Sequence, residues 1–141
     1  MYETETEGVA IRVTPTFMPQ ESDTDAGRWF WAYTIEIENR SSRMVQLLTR
    51  SWRISSASGA THEVEGDGVV GKQPVIRPGA THRYTSGVPL DAPSGLMGGH
   101  YGMVETESGR LFLAPDPDLR ARQSDEHPAR KLTRWVTRQH R

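Results

Sequence analysis

Apolar and polar residues alternate with a period of two through most of the chain. Val9, Ile11 and Val13 interleave with Ala10, Arg12 and Thr14, which places the apolar set on one face of a strand. Trp29, Trp31, Tyr33, Ile35 and Ile37 form the longest such run. Their early neighbours Phe30, Ala32 and Thr34 are uncharged, whereas Glu36 and Glu38 are not. This strand is therefore expected to be buried on both faces at its start and half-exposed at its end. After the turn Asn39-Arg40-Ser41-Ser42 a second long segment covers residues 44–55. There Val45 and Leu47 fall on odd positions, but Leu48, Trp52 and Ile54 on even ones. A one-residue slip would turn every side chain over, so a β-bulge is predicted near Leu47-Leu48. Shorter strands are predicted over 60–65, 81–86, 96–104 and 110–114, punctuated by Ser58-Gly59, Arg77-Pro78-Gly79 and Ser108-Gly109. Six to eight strands with no helical period between them predict an all-β antiparallel sandwich.

A length of 141 residues suits one domain. Charge divides the chain unevenly. Residues 1–119 carry ten Lys/Arg against sixteen Asp/Glu, a net of −6, and residues 120–141 carry seven against two, a net of +5. The overall −1 is their sum. The sandwich is accordingly assigned to 1–119 and a basic C-terminal tail to 120–141, flexible or a short helix. Leu132, Trp135 and Val136 lie at i, i+3, i+4 among Arg130, Lys131, Arg134 and Arg138, the pattern of a cationic amphipathic helix starting near Pro128. The acidic body gives no reason to expect nucleic acid, which could bind only through this tail. There are no cysteines, which excludes disulfides, thiolate metal sites and cysteine nucleophiles and fits a reducing compartment. No apolar run approaches the ~18 residues of a membrane span, and the start is acidic, so a cytoplasmic location is expected.

Gly66-Asp67-Gly68-Val69-Val70-Gly71 matches G-x-G-x-x-G. Pro74 and then Pro78-Gly79 come too soon for a helix, so a dinucleotide site is excluded. Two readings stay open. The loop is either a tight hairpin needing φ > 0, with Val69 and Val70 packed inward, or a nest whose amides cradle a phosphate. His62, His82, His100, His127 and His140 show no metal-ligand spacing, so no metal site and no cofactor are assigned. No nucleophile elbow is present, and Glu63/Glu65 and Glu105/Glu107 read as solvated strand edges. Trp31 and Trp52 are expected in the core. Trp29 or Phe30, beside Arg28, is expected to be exposed.

The glycine motif with Gln73-Pro74, then Arg77-Pro78-Gly79, Tyr84-Thr85-Ser86-Gly87 and Met97-Gly98-Gly99-His100-Tyr101, resembles the ApaG family. Phe30-Trp31-Ala32-Tyr33-Thr34, Val45-Gln46-Leu47-Leu48, Arg50 and Trp52 fit the same pattern, over roughly residues 7–112. The resemblance implies a bacterial, cytosolic protein with a fibronectin type III or immunoglobulin-like sandwich. It also implies a recognition role, since the domain recurs inside eukaryotic F-box and polymerase-delta-interacting proteins. A link to cobalt and magnesium homeostasis and, by gene neighbourhood, to diadenosine tetraphosphate hydrolysis comes with it. The C-terminus departs from the pattern: where the family ends in an Ile-Pro-x-Phe-x-Leu-like segment, this chain has Leu113-Ala114-Pro115-Asp116-Pro117-Asp118-Leu119. The expected function is a small non-catalytic binding module that recognises a protein partner or a small ligand through Gly66, Gly68, Gly71, Gly98, His100 and Tyr101. The alternative is a phosphate-, pyrophosphate- or nucleotide-binding protein using the Gly66–Gly71 loop as an anion nest.

Overall fold

The computed structural model describes residues 1–122, and the expected helix near Pro128 lies outside them. Ten strands come in order: β1 (Tyr2–Thr6), β2 (Val9–Phe17), β3 (Trp29–Asn39), β4 (Val45–Ser56), β5 (Thr61–Asp67), β6 (Val75–Ile76), β7 (Thr81–Leu90), β8 (Ser94–Glu105), β9 (Leu111–Pro115) and β10 (Leu119–Arg122). Every pairing is antiparallel. One sheet has the order β1-β2-β3-β7. The other runs β10-β8-β4-β5, with β6 on β4 and β9 on β8. The two sheets share one core, in which Tyr33 of the first packs on Trp52 of the second with centroids 5.5 Å apart.

The odd residues of β2 and β3 supply one wall of that core, including Val9, Ile11, Val13, Trp31, Ile35 and Ile37. β4 crosses from odd to even at the predicted place, because its register against β8 shifts between Leu47 and Thr49. Val45 and Leu47 before the bulge, and Trp52 and Ile54 after it, are all buried. The early part of β3 is covered on its outer face as well, where Phe30 and Ala32 pack with Met18. Short 3-10 turns at Pro19–Glu21 and Thr24–Ala26 come after Met18 on the way to β3. Phe30 is therefore buried and Trp29 half-buried against the core, which corrects the expectation that one of them is exposed.

The strand count exceeds the expected six to eight because three strands carry little hydrophobic signal. β1 holds a single large apolar residue, Tyr2. Its Glu3 and Glu5 join an ion network on the outer face, where Arg40 Nη1 lies 2.7 Å from Glu5 and Arg12 Nη1 2.8 Å from Glu38. β6 is two residues long. β10 alternates buried Leu119 and Ala121 with exposed Arg120 and Arg122, so the first three residues assigned to the tail are sheet. β10 and β9 lie end to end along the same side of β8, facing residues 94–97 and 100–104 respectively. β1 of the opposite sheet is stitched to both, through Tyr2 Oη to the Arg120 carbonyl (3.3 Å) and Thr4 Oγ1 to the Pro115 carbonyl (2.8 Å).

Asn39 anchors the far end of the sandwich. Its fully buried side chain donates to the carbonyls of Arg43 (2.6 Å) and Ile76 (2.9 Å) and accepts from the Ser41 amide and hydroxyl. Asn39→Ala is expected to destabilise by about 2–4 kcal/mol, since it removes four hydrogen bonds of a fully buried side chain at once. Urea unfolding measures this; a loss below about 1 kcal/mol would mean that water replaces the amide there.

Candidate functional site

Beyond its bulge β4 turns Thr49, Ser51, Arg53 and Ser55 to the outer face of the six-stranded sheet. Opposite them on β8 stand Gly102, His100, Gly98 and Leu96 in that order. Arg120 of β10 lies across from Leu96, and Arg122 from Ser94. Long cationic side chains thus rise on both sides of a strand that has glycine at its centre. The result is a cleft of about 700 Å³ lined by Arg53, Leu96, Gly98, Asp118, Arg120 and Arg122, with Tyr2 at one end. A Cβ on Gly98 would lie 2.8 Å from Asp118 Oδ1, so that carboxylate leans over the glycine. Among the described residues three guanidinium groups and one carboxylate line it, in a body whose overall charge has the opposite sign.

Of the six residues singled out from the sequence, Gly98 is in this cleft. His100 is further along the same face, half-buried between Ser51 and Pro115 in the ladder. The glycine loop is elsewhere. Gly66 ends up on β5 opposite Arg50, three residues from the Arg53–Gly98 pair and across β4 from it. That separates Gly66 from Gly98 by about 10 Å along the strands and about 10 Å across them. The two glycine-rich segments come level at Asp67 and Gly102, which both pair with Thr49, and they diverge toward Gly98.

The loop itself is built from internal bonds. Gly68 N–H donates to the Leu48 carbonyl, Val69 and Lys72 exchange a pair of backbone bonds, and Arg50 Nη1 donates to the carbonyls of Asp67 and Gly68. Gly66 leaves room for that guanidinium, because a Cβ there would come within 3.3 Å of Arg50 Nη1. Gly68, Val70 and Gly71 all have positive φ. Val69 is buried, but Val70 is 40% exposed at the apex, against the expectation that both pack inward.

Tyr101 belongs to the interior. It is 0% exposed, and its hydroxyl lies 2.5 Å from that of Tyr84 of the other sheet. A bound partner cannot reach it, so its assignment as a ligand-binding residue is corrected to a core role: β8 parity turns odd residues inward. Burial pushes both hydroxyl pKa values up. Beside them lies a group that no motif flags. Asp116, between β9 and β10, is buried, and neither carboxylate oxygen has a hydrogen-bond partner among the described residues. Desolvation pushes its pKa up to about 8. Among the described residues no three of His, Asp and Glu gather as a metal site, and no helix is long and apolar enough to cross a membrane.

A family profile for the ApaG domain matches residues 19–105. The chain belongs to the ApaG family. Protein ApaG of Beijerinckia indica is 52% identical over 117 residues, covering 83% of this chain and 89% of that protein. Protein ApaG of Maricaulis maris is 52% identical over 119 residues, 84% and 91% of the two chains. Among solved structures, a Bordetella pertussis protein crystallised under the name ApaA superposes with a TM-score of 0.79 at 38% identity, covering 81% of this chain and 92% of that one.

The ApaG profile ends where β8 ends, so β9 and β10 lie past its match. The Asp118 and Arg120 side of the cleft is thus outside the part of the chain whose motifs carry the resemblance. Two signals in the sequence point to it. One is Arg53 and Ser55 on the outward parity of β4; the other is the alternation Leu119-Arg120-Ala121-Arg122. The second reads as the start of the tail, because its positive charge is the same as that of residues 123–141.

Proposed function

We propose that this member of the ApaG family is a non-catalytic binding module of the cytoplasm that receives a partner segment or small ligand at the outer face of the six-stranded sheet. The observation that carries the reading is the cleft around Gly98, where strand register sets polar side chains on two sides of a bare backbone. Buried Tyr84, Tyr101 and Asp116 have the unusual titration, and they lie behind the sheet rather than in the cleft. Groups that could move protons are thereby kept away from groups that could hold a ligand, which suits recognition better than catalysis.

The test is amide-resolved NMR of the full chain with phenol, benzylamine and benzoate as neutral, cationic and anionic probes. Shifts are expected to cluster at Arg53, Leu96, Gly98 and Arg120, and to vanish in Gly98→Leu. That variant should fold, because a Cβ at this position meets only the end of the movable Asp118 side chain and the strand faces outward there. Shifts scattered over the surface, or surviving the substitution, would remove the reading. Pyrophosphate added to the same sample addresses the second reading, an anion nest at the glycine loop. Gly71 faces open space, whereas positive φ at both Val70 and Gly71, between the bridged Val69 and Lys72, is the geometry of a type I′ hairpin turn. Shifts confined to Val70, Gly71 and Lys72 would support it.

A further inference from the structure

We infer that the cleft selects a small organic dianion, namely a phosphate monoester with an apolar body, gripped by Arg53 and Arg120 over Gly98 and Leu96. This deepens the binding-module reading and rests on it.

Two of the three guanidinium groups that line the cleft, those of Arg53 and Arg120, have no carboxylate partner among the described residues. Four arginines on the outside of the molecule are matched to carboxylates, while Arg28, Arg77 and Arg83 have no carboxylate partner among the described residues. Arg12 and Arg40 hold Glu3, Glu5, Glu36 and Glu38, and Arg43 and Arg110 hold Glu105, with Glu7 also on Arg110. Arg53 and Arg120 differ. Neither makes an ion pair or a side-chain hydrogen bond to another described residue, although Glu63 stands across the ladder from Arg53. They converge instead on the same concavity, with Arg122 lining it beyond them. Asp118 is the one carboxylate of the lining among the described residues.

The spacing of the two arginines suits a single bound group. Arg53 pairs with Gly98, and Arg120 with Leu96 two residues along β8. Their Cα atoms are therefore about 7 Å apart along the strands and about 10 Å across them. Extended guanidinium groups can close that gap from both sides onto one group about the size of a phosphate. The planar fork of each can give two parallel hydrogen bonds to its oxygens. A phosphate monoester carries about −1.5 to −2 at neutral pH, which two forks match better than one carboxylate does.

The floor of the cleft is apolar. Leu96, 56% exposed, and Tyr2 line it together, so an apolar surface lies beside the arginines. An apolar body attached to the phosphate would cover Leu96. The chain's own residues 123–141 are poor competitors by charge, with five basic side chains against two acidic ones.

Calorimetric titration of the full chain with phenyl phosphate tests the inference, with inorganic phosphate, benzoate and phenol as comparators. Phenyl phosphate is expected to bind most tightly, with binding that weakens as salt rises. Arg53→Met and Arg120→Met should each weaken it about tenfold, while Arg77→Met, in an exposed turn away from the cleft, should not. Equal losses in all three variants would reduce the effect to general surface charge and overturn the inference. If phenol maps to the cleft and phenyl phosphate binds no better, the dianion is wrong and the binding module stands. If no probe maps there, both fall.

Discussion

Asp116→Asn is expected to stabilise the protein above neutral pH and to remove most of the pH dependence of its unfolding. The aspartate is held between the sheets by its backbone, with its N–H donating to the Gly99 carbonyl at 2.9 Å and prolines on either side. The groups that face it are Tyr33 from β3, Tyr84 from β7 and Tyr101 from β8, each coupled to it electrostatically. Arg50 of β4 acts on Tyr33 in the same region. With no hydrogen bond to its oxygens among the described residues, the carboxyl keeps its proton until about pH 8, against an ordinary value of 3.8.

The sign depends on which state holds the proton. Between about pH 4 and pH 8 the folded chain keeps a proton that the unfolded chain has released. Its stability is therefore fullest below about pH 4 as far as this group is concerned, falls through that window, and levels off above it. The full span corresponds to a loss on the order of 5 kcal/mol, an upper bound because water can enter as the site loosens. Denaturant unfolding of both proteins at pH 5, 7 and 9 is the measurement. The asparagine variant should gain most at pH 9. Parallel pH profiles would show that the carboxylate is solvated in the folded protein.

The second large effect belongs to the glycine loop, where two residues of one motif should behave in opposite ways. A Cβ at Gly68 would sit 2.1 Å from the Lys72 carbonyl oxygen, on a backbone with φ of 66°. Backbone cannot yield as a side-chain tip can. Gly68→Ala is expected to cost about 3 kcal/mol or more. At Gly71 φ is 75° but nothing lies within 4 Å, so Gly71→Ala should cost only about 1–2 kcal/mol, the strain of the left-handed backbone. Thermal unfolding of the pair separates them; equal losses would contradict this account of the loop. Such a difference also means that a binding defect in a Gly68 variant reports on folding first.

The fold is legible in the sequence wherever burial leaves a period. β2, β3 and β4 are strongly sided, so their strands, the doubly covered start of β3 and the bulge at Leu47 can all be read from the positions of Trp31, Ile35, Trp52 and Ile54. β1 cannot, because Glu3 and Glu5 are held by arginines distant in sequence, and ion pairing has no local period. His100 and Tyr101 show the limit of motif reading for the candidate site. They are adjacent in the sequence and face opposite sides of the sheet, and the motif alone does not say which is inward. Asp116 is hidden for another reason. An aspartate between two prolines reads as a turn, and only the closing of β9 and β10 along β8 sends it inside.

The stitching of β1 onto β9 and β10 divides the molecule into a sealed seam and an open one. Along the seam, Pro115, Pro117 and the side chains of Tyr2 and Thr4 leave little main chain to recruit a foreign strand. On the opposite side β5 and β7 are each paired along one edge only among the described residues. β5 carries Glu63, Glu65 and Asp67, a run of negative charge that repels a second copy of itself. β7 has no such charge along its final stretch, where Gly87, Val88, Pro89 and Leu90 lie and Pro89 alone guards the edge. Self-association by strand addition should therefore start at β7, with Pro89 as the residue that interrupts it.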